Sequence, residues 1–248
     1  MRRFFASPEQ IWLDEHKILL TGQDVDHIRK VLRLSSGDEL WVSDGNGREY
    51  HCSILRYPEK NSCLLKILYA QDPAYELSCE VTLFQALPKA DKMEWIIQKA
   101  VELGVKTIVP VRTRRCVAKL DDDRAEKKTA RWQIISESAA KQSRRLYIPR
   151  VEVACSFSDA LERSRSLDHI LFTYEHTSGV ALTRKIISSV LPGQSVGIFI
   201  GPEGGFEEEE ADQALKAGAS QISLGKRILR TETAGIVLLS ALMIHLEE

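Results

Sequence analysis

The chain of 248 residues contains no CxxC pair, no His/Cys cluster with ligand spacing and no long apolar run. Its five cysteines, Cys52, Cys63, Cys79, Cys116 and Cys155, are odd in number and dispersed. That pattern excludes a disulfide framework and predicts reduced, mostly buried thiols in a cytoplasmic protein. The six histidines are scattered too, so no metal is expected. The longest apolar stretch, residues 236–244, is interrupted by Ser240 and is too short to span a bilayer. Met1-Arg2-Arg3-Phe4-Phe5 runs into Pro8, Glu9 and Asp14 rather than an apolar segment, so no secretory signal is read. P-loop and G-x-G-x-x-G patterns are absent, as are internal repeats and low-complexity segments. With 44% hydrophobic and 28% charged residues, the composition is that of a soluble globular protein of one large or two ordinary domains.

The net charge of −1 conceals an asymmetry. Residues 89–150 carry 16 Lys and Arg against 8 Asp and Glu, whereas residues 151–248 carry 8 against 14. A basic middle segment in a near-neutral chain fits a local polyanion contact; a solvated, lysine-rich helix pair is the alternative. The cations that group at expected loop edges and helix ends are Lys89, Lys92, Arg112, Arg114, Arg115, Lys141, Arg144 and Arg145. Arg2 and Arg3 beside Phe4 and Phe5, with Arg29, Lys30 and Arg33, can extend the same surface. For the last three an ordinary amphipathic helix serves equally well.

Residues 1–72 read as a small β-barrel with one helical piece over 24–31, whose Ile28, Val31 and Leu32 share a face. The turn Asp44-Gly45-Asn46-Gly47 joins strands at 38–43 and 49–55. From residue 73 onward strands and helices alternate. Strands are expected at 80–87, 107–111, 169–174, 196–200 and 220–224, and helices at 89–103, 124–145, 180–190, 207–217 and 231–246. This predicts an α/β domain over 73–248, with a mostly parallel sheet covered on both faces.

Two runs stand out: Ile200-Gly201-Pro202-Glu203-Gly204-Gly205-Phe206, and Ser223-Leu224-Gly225-Lys226-Arg227-Ile228-Leu229-Arg230-Thr231-Glu232-Thr233-Ala234. Each follows a strand and precedes a helix, which places it at the sheet rim where such folds bind ligands. The glycines of the first allow close backbone approach to a ligand, or simply form a tight turn. Glu207-Glu208-Glu209-Glu210 just beyond them suit a helix start but would repel a phosphate, so a neutral or cationic ligand fits better. In the second run Ile228 and Leu229 are expected to be buried, holding Arg230 in a partly enclosed position.

These two runs resemble the RsmE family of SPOUT-class methyltransferases, which act on the ring N3 of a uridine in 16S ribosomal RNA. Residues 94–105 (EWIIQKAVELGV) and 137–143 (ESAAKQS) also match the family. So do Met1-Arg2-Arg3-Phe4-Phe5 and His27-Ile28-Arg29-Lys30-Val31-Leu32-Arg33 with Gly37-Asp38, in its N-terminal PUA-like RNA-binding domain. The resemblance implies a C-terminal trefoil knot, a homodimer and S-adenosylmethionine as methyl donor. Its cofactor cradle falls on Phe172 and Thr173; on Ile200, Gly201, Gly204 and Gly205; and on Leu224, Gly225, Ile228, Leu229 and Arg230. The implied substrate is 16S ribosomal RNA in a small-subunit particle.

Uridine N3 is a poor nucleophile until it loses its proton. A fixed cation near the uracil oxygens is therefore needed, and Arg230 is the candidate. The proton acceptor stays open between Glu232 and bulk hydroxide. Two other readings are a non-catalytic RNA-binding dimer and a knotted enzyme acting on a ribose 2′-hydroxyl.

Overall fold

The computed structural model describes residues 3–116, 122–177 and 179–247, which fall into two compact units. The first comprises residues 1–75 together with 140–148, and the second residues 76–139 and 149–248.

The first unit is built on a six-stranded sheet of order β1-β4-β5-β6-β3-β2. The strands are β1 (Arg3–Phe5), β2 (Ile11–Trp12), β3 (Lys17–Thr21), β4 (Glu39–Ser43), β5 (Glu49–Arg56) and β6 (Ser62–Gln71). The β4–β5 turn forms where the glycines predict it, with φ of 72° at Gly45 and 104° at Gly47. The Asp44 carboxylate accepts the Asn46 N–H at 2.7 Å, a local bond that favours this bend. Alternation along β4, β5 and β6 sends Leu40, Val42, Cys52, Ile54 and Leu65 into one core with Phe4, Ile18 and Leu20.

The opposite face of β1, β4 and β5 carries Trp41 against His51, ring centroids 4.6 Å apart, and beside them a buried polar cluster. Arg3 pairs with Glu49, their side chains only 7% and 1% exposed. Arg3 Nη1 donates to the Arg144 carbonyl at 2.7 Å, and Ser43 Oγ to the Leu146 carbonyl at 2.9 Å. Residues 140–148 thus complete the first unit's polar face. The expected helix over 24–31 is only one turn of α1 (Gln23–Asp26), which widens into a π turn over His27–Val31. The wider turn moves Val31 off the face of the buried Ile28, leaving it 66% exposed.

The second unit has a seven-stranded sheet whose pairings are all parallel. Its main order is β10-β8-β7-β12-β11-β13, with β9 beside β8. In chain order these are β7 (Glu80–Ala86), α2 (Lys92–Glu102), β8 (Thr107–Arg112), α3 (Asp122–Gln142), β9 (Arg150–Val151) and β10 (Cys155–Ser156). Then come α4 (Phe157–Ser164), β11 (His169–Thr173), α5 (Ala181–Ile187), β12 (Ser195–Ile200), α6 (Glu208–Lys216), β13 (Ser220–Ile222) and α7 (Thr231–Leu246).

The central strand β12 is buried along nearly its whole length, as a strand covered on both faces must be. Phe199 stacks on Phe84 of β7 with ring centroids 4.4 Å apart. Gly104 ends α2 with φ +91°, as its position predicts. Helix α4 and strands β9 and β10 were not foreseen. Ser156 caps α4 by accepting the Asp159 N–H at 3.1 Å, and the spacing Ser156-Phe157-Ser158-Asp159 is a capping signal that could have revealed it. Among the described residues no helix is long and apolar enough to cross a membrane.

Candidate active site

The chain crosses from β10 at one edge of the parallel sheet to β11, returns inward to β12 and then moves out to β13. This brings the loops after β11, β12 and β13 side by side at the carboxyl ends of their strands. Between them lies a cleft of about 330 Å³. The first loop contributes Thr173, Tyr174 and Glu175; the second Ile200, Gly201, Pro202, Glu203, Gly205 and Phe206. The third supplies the run from Ile222 to Thr231, with Ala234 of α7 behind it.

Hydrogen bonds fasten the loops together. Thr173 Oγ1 donates to the Phe199 carbonyl at 2.9 Å, and the Tyr174 N–H to the Ile222 carbonyl at 3.2 Å. Thr231 Oγ1 donates to the Gly201 carbonyl at 2.6 Å and accepts from Gln85 Nε2 at 2.9 Å. That one hydroxyl joins the second loop, the start of α7 and strand β7. Gly205 closes the second loop with φ +70° while its N–H donates to the Pro202 carbonyl at 2.9 Å. Gly225 turns the third loop outward at φ +121°, a conformation that a side chain disfavours.

Lys92 of α2 adds an ionic tie. Its ammonium lies 3.0 Å from Glu203 Oε1 and 3.2 Å from Glu232 Oε2, linking the second loop to the first turn of α7. The bond to Glu203 pushes the Lys92 ammonium above its ordinary value. Burial alone would raise the Glu203 carboxyl, but Lys92 and backbone N–H groups outweigh it and hold it below the usual range.

The residues expected to cradle a ligand mostly meet in this cleft: Thr173, Ile200, Gly201, Gly205, Leu224, Gly225, Ile228, Leu229 and Arg230 all line it. Phe172 does not, being fully buried beneath the site against Phe206 at 4.3 Å between centroids. Gly204 faces away, where an added Cβ would meet Arg115 Cβ at 3.3 Å. Glu232 is also outside the lining, its carboxylate turned to Lys92. The expected burial of Ile228 fails: the side chain is 88% exposed, because the turn at Gly225 carries the tip of the loop into solvent. Arg230 is exposed at the rim, but its backbone is fixed, its carbonyl accepting from Thr233 N at 2.8 Å and Ala234 N at 2.9 Å.

Most of the cations grouped as a polyanion surface are already engaged. Arg3 is buried with Glu49. Lys30 pairs with Asp26 at 2.8 Å, and Lys141 with Asp24 at 2.7 Å. Arg29 lies over the Tyr57 ring at 5.3 Å. Arg145 is 4% exposed and Arg112 half-buried. Arg33 and Arg144 take positive φ, 55° and 63°. Lys89 is exposed, its N–H donating to Glu203 at 3.2 Å. Arg2 lies outside the described residues.

Arg114 and Arg115 meet the acidic start of α6. Arg114 pairs with Glu209, and its N–H donates to the buried Glu210 carboxylate at 3.0 Å. Arg115 forms a bidentate pair with Glu207 at 2.8 and 3.0 Å and donates to the Gly204 carbonyl at 2.8 Å. The glutamate run therefore anchors the second loop through these arginines, a use that charge counting could not reveal.

Arg115 also holds the Glu207 carboxyl below its ordinary value of 4.5. A carboxylate with a depressed folded value adds stability above the unfolded value and loses it as pH falls through the folded one. The melting temperature should fall as pH drops below about 4.5. In Glu207→Gln that fall should be shallower, and thermal melts between neutral pH and pH 3 measure both.

A protein-family model described as an RNA methyltransferase domain matches residues 75–243, and one described as an RNA methyltransferase PUA domain matches residues 20–68. The chain is 37% identical to the ribosomal RNA small subunit methyltransferase E of Bacillus subtilis (strain 168), over 100% of this chain and 98% of the relative. A crystal structure of the Neisseria gonorrhoeae ribosomal RNA small subunit methyltransferase E, bound to S-adenosylmethionine, superposes with a TM-score of 0.85. It shares 32% identity and covers 98% of this chain and 97% of that one. A Legionella pneumophila methyltransferase solved with the same cofactor also scores 0.85, at 30% identity, covering 98% of this chain and 96% of that one. With a three-loop cleft at the carboxyl end of a parallel sheet, and both of its units matched, the chain belongs to the ribosomal RNA small subunit methyltransferase E (RsmE) family.

Proposed function

We propose that the protein uses S-adenosylmethionine to methylate the ring N3 of a uridine in 16S ribosomal RNA, within a small-subunit particle and as a homodimer with a knotted C-terminal segment. The observation that carries the reading is the cleft with Arg230 at its rim. Its about 330 Å³ lies within the range of small-molecule sites. Ile200, Ile222, Leu224 and Ala234 give it apolar walls suited to a nucleoside. Glu175 and Glu203 give it the carboxylates that suit a cationic sulfur.

Bound there, S-adenosylmethionine supplies an electrophilic methyl group on a positively charged sulfur. The chain's part is to place the uracil and hold charge. Arg230 would offer its guanidinium to the uracil oxygens as N3 gives up its proton to solvent, holding the negative charge that makes N3 a nucleophile. Glu232, tied to Lys92, acts as a positioning group for the start of α7, not as the proton acceptor. Two apolar side chains support the dimer: Val237 and Ile244, seven residues apart on one face of α7, are 40% and 66% exposed.

The test is incubation with labelled S-adenosylmethionine and small-subunit particles, then nucleoside analysis. The expected product is 3-methyluridine. A 2′-O-methyl nucleoside would replace this reading with ribose methylation, and absence of cofactor binding in calorimetry would leave an RNA-binding protein. Gly201→Val should weaken cofactor binding by ~10-fold or more, because the new side chain crowds Phe206, 3.1 Å from a Cβ, and the mouth of the cleft. Circular dichroism should show the fold intact.

A further inference from the structure

An isoleucine that is 88% exposed on an otherwise well-held loop calls for a partner. Ile228 sits at the tip of the third loop, and the flanking Lys226 and Arg227 are exposed too. Lys226, Arg227 and Arg230 form no ion pair among the described residues, unlike Arg114 and Arg115 nearby. An apolar tip between unpaired cations, on the rim of the cleft, is complementary to a polyanion that also offers flat apolar surfaces. Structured RNA has both: phosphates for the cations and stacked bases for the isoleucine.

We infer that Ile228 is a wedge that enters the base stack of the RNA and fills the space left by the extruded nucleotide, while Lys226 and Arg227 grip the adjoining phosphates. This rests on the methyltransferase reading of the same cleft. A paired or stacked uridine cannot offer N3 to a pocket until it leaves the helix, and unstacking has a cost that something must offset. Proteins that unstack duplexes use apolar wedges of this size for that purpose. Burying an isoleucine that is otherwise exposed is worth a factor of about ten or more in an equilibrium. The rigid base of the loop suits the task. Arg230 is fixed by the first turn of α7, and the Thr231 hydroxyl is bonded to Gly201 and Gln85. Force on the tip is therefore borne by the sheet.

The test uses the whole chain and an RNA hairpin carrying 2-aminopurine beside a paired uridine, at protein concentrations that saturate binding as judged by anisotropy. The wild-type protein should raise the fluorescence, reporting unstacking. Ile228→Ala should lower that rise by about tenfold, and Ile228→Phe should restore it. Particle mass by light scattering should be unchanged in both variants, and because Ile228 also lines the cleft the fluorescence is compared in the absence of S-adenosylmethionine. No fluorescence rise with the wild type on bound RNA, or no binding of the hairpin at all, overturns the wedge. So does an equal rise with Ile228→Ala, or dissociation of that variant to monomers, which would make Ile228 a contact between copies of the chain. A wild-type protein that unstacks the RNA but binds no S-adenosylmethionine would instead remove the methyltransferase reading and leave the wedge standing.

Discussion

Arg230→Ala is expected to lower the single-turnover methylation rate by roughly 10²–10³, the usual loss for one charge-stabilising donor. The argument is positional. The backbone of Arg230 is the first link of α7, with its carbonyl accepting two helix N–H groups and its neighbour Thr231 tied to Gly201 and Gln85. The guanidinium projects from this fixed base at the rim of the cleft. Its charge is of most use once N3 has lost its proton and the uracil oxygens have gained negative character, a state absent from the ground-state complex. Cofactor affinity should therefore change far less than the rate. Arg230→Lys should recover only part of it, since a point charge lacks the planar fork. The measurement is the single-turnover rate at saturating cofactor and particles, beside calorimetric cofactor affinity. An unaltered rate in Arg230→Ala, or a loss accounted for by affinity alone, would move attention to Arg227.

The second large effect concerns stability. Arg3→Met should destabilise the first unit by about 3–5 kcal/mol, because it strands a carboxylate in a place water does not reach. Glu49 is 1% exposed at its side chain, with Arg3 and the Gln71 amide as its partners. Replacing both members by apolar groups, Arg3→Met with Glu49→Leu, should recover much of the loss, since an apolar pair of similar volume leaves no buried charge. Hydrogen exchange of the β4 and β5 amides reads the local effect. A single variant with near-normal protection would mean that water relaxes into the site.

The expectations that came from local chemistry and those that needed tertiary placement separate clearly. The β4–β5 turn, the end of α2 at Gly104 and two of the loops that line the cleft could be read because glycines after strands and between strands act within a few residues. Most of the alternation from β7 to α7 was legible too, because strands buried on both faces read as short apolar runs and amphipathic helices carry a period, although α4 was missed. The partners of the cations were not. Nothing near Arg115 in sequence indicates that Glu207 will hold it, and nothing near Arg3 points to Glu49. A charge count of the middle segment therefore overstated the surface free to meet RNA. Ile228 was misjudged by the opposite error. Hydrophobicity predicts burial only where a core exists to receive the side chain, and a loop tip beyond a glycine at positive φ has none. Strands β9 and β10 span two residues each, too few to show a period.

The strap of residues 140–148 has a consequence for how the chain is made. A ribosome adds about 5–20 residues per second. The six strands of the first sheet therefore emerge several seconds before Arg144 and Leu146, the residues whose carbonyls receive Arg3 and Ser43. During that interval the polar face of β1, β4 and β5 lacks its cover, and water must stand in for it. A fragment ending at Tyr75 would stay in that state permanently. The piece of chain that folds as the first unit is discontinuous, and an excised domain should carry the distant strap on a linker.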